Sequence, residues 1–115
     1  MDVFHLNPGD MVETPGPCRL RMSDQMLELV ASRFRTLGEP YRLRILQCLK
    51  QQATTLGKLV QLLDRNQSNV SRHLQILYQA GIVSRRREGN NVIYSPKDPI
   101  AYRLCELVRR NRARV

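Results

Sequence analysis

Gln67, Ser68, Asn69, Ser71, Arg72 and His73 fall within seven consecutive residues, and each carries a group that can meet a base edge or a phosphate. Glutamine and asparagine amides pair bidentately with adenine, and a guanidinium pairs with guanine. The hydroxyls of Ser68 and Ser71 can donate to phosphate, as can the backbone N–H groups at the start of a helix. His73 offers a base or phosphate contact, or a pH-sensitive one. Shortly after come three consecutive arginines, Arg85, Arg86 and Arg87, then Asn90 and Asn91. Five arginines and no acidic residue lie from Arg65 to Arg87. No nucleophile, carboxylate pair or glycine-rich phosphate loop accompanies His73, so the chemistry expected is recognition rather than catalysis.

These residues need a helix and a hairpin to present them. From Gln67 to Ala80 the apolar positions Val70, Leu74, Leu77 and Ala80 recur at intervals of four, three and three, which makes one buried stripe. Asn69, Ser71, Arg72, His73 and Gln75 are expected on the other side, and Gly81 ends the helix. Ile82–Arg86 and Val92–Ser95 read as two short strands around Glu88-Gly89-Asn90-Asn91, a set that tolerates positive φ and predicts a hairpin. Because alternate residues face opposite sides of a strand, the three arginines cannot all be buried, and at least two must reach solvent or a partner.

Upstream, Ser23 is placed to cap a first helix with Met26, Leu27, Val30, Phe34 and Leu37 at helical spacing, closed by Gly38. Pro40 suits the first turn of a second helix that carries Leu43, Ile45, Leu46 and Leu49. A third helix starts near Thr55, with Leu56, Leu59, Val60, Leu62 and Leu63 expected to face inward. Asp64-Arg65-Asn66 then forms a tight polar turn, so the third and fourth helices make a helix-turn-helix. A last helix covers roughly Pro99 to Arg112, with Ile100, Leu104, Leu107 and Val108 apolar and a basic end. Residues 1–22, with Pro8, Gly9, Pro15, Gly16 and Pro17, read as a flexible arm; 23–112 form the domain; 113–115 form a basic tail.

The composition agrees with a polyanionic partner. The 115-residue chain carries a formal charge of +9, and sixteen of its nineteen basic residues are arginine. No run approaches the roughly 18 apolar residues of a membrane span, and the N-terminus lacks the layout of a signal peptide, so a cytoplasmic location without a membrane partner is expected. Cys18, Cys48 and Cys105 are an odd set with no CxxC spacing, which argues for free thiols in a reducing compartment.

The residues Leu37-Gly38-Glu39-Pro40-Tyr41-Arg42-Leu43-Arg44-Ile45-Leu46, Gln67-Ser68-Asn69-Val70-Ser71-Arg72-His73-Leu74, Leu77, Ala80-Gly81-Ile82-Val83, Arg87-Glu88-Gly89 and Tyr94 together make the chain resemble the ArsR/SmtB family of winged-helix bacterial repressors. The likeness covers roughly residues 23–112. It implies a mainly α fold with a small β-hairpin, a dimeric winged helix-turn-helix in the order α1-α2-α3-α4-β-β-α5. It further implies a homodimer joined through the first and last helices, and release from a palindromic operator in double-stranded DNA by an effector.

The sensory patterns of that family are only partly present. Metal-binding members often place Cys-x-Cys at the start of the third helix, whereas Thr54-Thr55-Leu56-Gly57-Lys58-Leu59 has no thiol, histidine or acid. The last helix offers Asp98, Cys105 and Glu106 without a histidine. Cys48 and Cys105 resemble the thiol pair of sulfide- and persulfide-responsive members, with the last-helix cysteine about two turns early. Cys18 would add a third soft ligand for arsenite or a similar ion. The alternatives are small buried hydrophobes at Cys48 and Cys105 and an incidental thiol at Cys18. The effector therefore stays open between a soft metal or metalloid ion, thiol modification, and no ligand at all. A second class of function, a nucleoid or protein-interaction module without operator specificity, uses the same fold.

Overall fold

The computed structural model describes residues 21–112; Cys18, His5, most of the arm and the 113–115 tail lie outside the described residues. Five helices and one hairpin follow each other there: α1 (Asp24–Leu37), α2 (Pro40–Gln51), α3 (Leu56–Leu63), α4 (Gln67–Gln79), β1 (Val83–Glu88), β2 (Asn91–Pro96) and α5 (Ile100–Asn111).

Each of the first four helices starts where its capping chemistry dictates. The side chain of Ser23 accepts from the Met26 N–H, that of Glu39 from Tyr41, that of Thr55 from Lys58 and that of Asn66 from Asn69. Each cap satisfies a helix-end donor that has no intrahelical partner. Pro40 occupies the first turn of α2, where its missing N–H costs nothing.

The core gathers Ile45, Leu46 and Leu49 of α2, Leu59 of α3, Val70, Leu74 and Leu77 of α4, and Ile82 and Val83 at the entry to the hairpin. Each such side chain contributes about 1.5–3 kcal/mol on burial. Tyr102 docks α5 on α2 by donating its hydroxyl to the Leu46 carbonyl at 2.8 Å. Burial pushes that phenol up to about 12, so it remains a donor at physiological pH.

Leu62 departs from the expected inward set, being 57% exposed. The reason is angular. Leu56, Leu59, Val60 and Leu63 already fill one face of this short helix at i, i+3, i+4 and i+7, and position 62 lies roughly a third of a turn away.

The hairpin is longer and tighter than the sequence indicates. Pairing runs from Val83↔Pro96 through Arg87↔Val92 to Glu88↔Asn91, leaving only Gly89-Asn90 as the loop. Gly89 has φ +63°, and a glycine with positive φ at the first loop position is what a type II′ turn uses. One further contact ties the hairpin to the helices: Thr54, just before α3, exchanges both backbone hydrogen bonds with Tyr94 of β2, at 3.0 and 2.8 Å.

Candidate nucleic-acid interface

The α3–turn–α4 unit sets the geometry of the interface. Asp64 takes a left-handed conformation at φ +52°, one that Asp tolerates better than most residues, and reverses the chain. Asn66 then starts α4: its Oδ1 accepts from the Asn69 N–H at 2.9 Å and from the Ser68 hydroxyl at 2.9 Å. The far end closes in a Schellman motif, with the Ile82 N–H bonded to the Leu77 carbonyl and the Gly81 N–H to the Tyr78 carbonyl, both at 3.0 Å. Gly81 sits at φ +76°, a conformation costly for a residue with a Cβ.

Gln67, Ser68, Ser71 and Arg72 are exposed along the first turns of α4, and Asn69 is half-buried beside them. His73 is not with them. It is 7% exposed, its ring centroid 5.1 Å from that of Tyr41, so the expected solvent-facing set loses this member. Position 73 is three residues past Val70 and one before Leu74, inside the buried stripe, so strict helical periodicity would have found it. Burial, then the charges of Arg72 and Arg42, holds the imidazole below its ordinary pKa. His73 is therefore a neutral packing residue.

The three wing arginines are exposed, and each has a different environment. The Arg85 guanidinium lies 4.0 Å above the centre of the Tyr78 ring. Arg86 donates from Nε and Nη2 to Glu88 at 3.2 and 3.0 Å. Arg87 stands opposite Val92, without a carboxylate partner among the described residues. Asn90 and Asn91 are exposed at the tip. Two neighbours belong with this set although no sequence motif marks them. Tyr78, at the end of α4, supports Arg85; Arg65, in the turn before α4, stacks 4.5 Å above Tyr41. For Arg65 the only local signal is a lone arginine beside a helix cap.

The two described thiols are free and line different grooves. Cys48 lies with Gln51, Thr54 and Lys58, Cys105 with Phe34, Leu43 and Val108. Among the described residues, no three His, Cys, Asp or Glu side chains cluster to hold a metal ion. None of the described helices is long and apolar enough to cross a membrane.

Comparison with known proteins agrees with this geometry. A helix-turn-helix domain family matches residues 37–86. The uncharacterized HTH-type transcriptional regulator Rv0081 of Mycobacterium tuberculosis is 37% identical over 81% of this chain and 82% of its own. Its crystal structure superposes with a TM-score of 0.70, at 36% identity over 80% of this chain and 93% of that one. The biofilm growth-associated repressor of Agrobacterium fabrum is 34% identical over 86% of this chain and 81% of its own. The homodimeric winged helix-turn-helix DNA-binding domain Mb0332 of Mycobacterium bovis gives a TM-score of 0.69, at 28% identity over 82% of this chain and 87% of that one. With a capped recognition helix, an adjoining arginine hairpin and relatives of this kind, the chain belongs to the ArsR/SmtB-type family of winged helix-turn-helix transcriptional regulators.

Proposed function

We propose that the chain is a homodimeric, sequence-specific repressor that occupies a palindromic operator in double-stranded DNA and leaves it when an effector acts. One observation carries this reading: Gln67, Ser68, Ser71 and Arg72 stand exposed at the capped start of α4, next to a hairpin that exposes Arg85, Arg86 and Arg87. Helix N–H groups and hydroxyls would fix the protein on phosphates, while Arg72, Gln67 and Asn69 read base edges in the major groove.

The dimer is supported by what α1 and α5 leave uncovered. Met26, Leu27, Leu29 and Phe34 of α1 and Ile100, Leu107 and Val108 of α5 are exposed, with Val108 at 72%. A second copy would cover both stripes, and the two-fold axis would set the recognition helices about one DNA turn, roughly 34 Å, apart. Cys105 lines the groove between these helices, so a soft metal, metalloid or persulfide bound to its thiol would add bulk where the copies meet. Such a regulator works on chromosomal DNA, hence in the cytoplasm.

A gel-shift competition between the chain's own upstream region and random DNA tests the reading. Preferential retention of the upstream fragment supports it; equal competition transfers the chain to the nucleoid class. Mass spectrometry after exposure to arsenite, peroxide and persulfide tests the thiol input, with an adduct on Cys105 as the expected result.

A further inference from the structure

The recognition helix is bracketed by two arginines held in the same way. Arg65 precedes the Asn66 cap and lies 4.5 Å over the ring of Tyr41; Arg85 follows the Gly81 stop and lies 4.0 Å over the ring of Tyr78. Both arginines are exposed, and neither is paired with a carboxylate among the described residues. A guanidinium stacked on an aromatic face keeps its N–H groups in the plane of the fork, free for phosphate oxygens. Arg86 is the internal contrast, since Glu88 occupies its Nε and Nη2.

The 13-residue α4 is about 20 Å long, enough to span a major groove about 12 Å wide. Lying across the groove, it would bring donors at its two ends to the two sugar–phosphate walls. We infer that Arg65 and Arg85 are a matched pair of phosphate anchors, pre-set by Tyr41 and Tyr78, that grip the backbone on either side of the groove occupied by α4. The inference rests on the DNA-binding reading above and adds one phosphate-binding residue, Arg65, and two positioning residues, Tyr41 and Tyr78. Phosphate anchors are blind to sequence, so no operator is needed to test them.

The test is binding of the full chain to a mixed-sequence duplex of about 30 base pairs, long enough for two half-sites one turn apart, over a range of salt concentrations. Arg65→Gln and Arg85→Gln should each shallow the slope of log K against log salt by about 0.9 for every phosphate no longer neutralised, hence about 1.8 for a dimer. Tyr78→Leu should keep the slope and weaken binding about 2- to 5-fold per copy, because Arg85 still reaches its phosphate and only its pre-organisation is removed. Tyr78→Phe should bind as the parent does, and Tyr78→Leu should have no effect in the Arg85→Gln background. Unchanged slopes for both arginine variants overturn the inference while leaving the DNA-binding reading in place. An undiminished effect of Tyr78→Leu in the Arg85→Gln background removes the positioning role. A parent chain that binds no duplex at any salt concentration overturns both readings.

Discussion

The Nδ1 of His73 lies 3.4 Å from Nη1 of Arg42. Arginine has no acceptor, so the imidazole accepts weakly through Nδ1 and carries its proton on Nε2. Arg42 in turn donates from Nε to the Thr36 carbonyl at 2.8 Å, closing the end of α1. A buried neutral histidine thus joins the recognition helix to the end of the first helix.

This arrangement makes stability depend on pH. The folded His73 binds its proton less readily than the unfolded chain, through burial first and then Arg72 and Arg42; Glu39 acts weakly the other way. Wherever the unfolded state binds more protons, stability rises with pH. The contribution is complete above about pH 6.5 and is lost as pH falls from there toward the depressed folded value. Urea midpoints should fall between about pH 7.5 and about pH 5.5 more steeply in the parent than in His73→Gln. Parallel midpoints in the two proteins would refute the coupling.

Arg72 and Arg87 should fail differently. If Arg72 reads a base, its replacement by alanine costs about 1–3 kcal/mol on the operator and relaxes discrimination at one base pair. Arg87→Ala should weaken every duplex alike and shallow the salt slope. Anisotropy titrations with operator and scrambled duplexes separate the two, and identical behaviour of both variants would contradict the division of labour.

Phe34 is 58% exposed and lines two neighbouring grooves between α1 and α5. A glutamate there would bury an unpaired carboxylate in any two-fold contact through α1 and α5, a strongly unfavourable outcome. Sedimentation should show Phe34→Glu as a folded monomer with operator binding abolished. A variant that remains a dimer would move the interface elsewhere.

The ends of the recognition helix are each set by one residue. Asn66→Ala removes the cap on the Asn69 N–H and should cost about 1 kcal/mol of stability. Gly81→Ala forces a Cβ into φ +76° and should cost about 1–2 kcal/mol. Thermal melts followed by circular dichroism measure both. A neutral Gly81→Ala would mean that the turn after α4 can rearrange.

The order of elements is written locally, because caps, stops and apolar spacing act over a few residues. Ser23, Pro40, Thr55 and Gly81 all sit next to the boundaries they set. The exposed polar start of α4 and the exposed arginines of β1 were legible for the same reason: period and alternation assign faces without knowledge of the packing. Relationships between distant segments emerged only with the three-dimensional arrangement. It moved His73 from the polar face to a place against Tyr41 and Arg42, paired Thr54 with Tyr94, and gave Arg85 and Arg65 their tyrosine supports. Such contacts depend on how two elements meet in space, and no local pattern encodes where a partner far along the chain will stand.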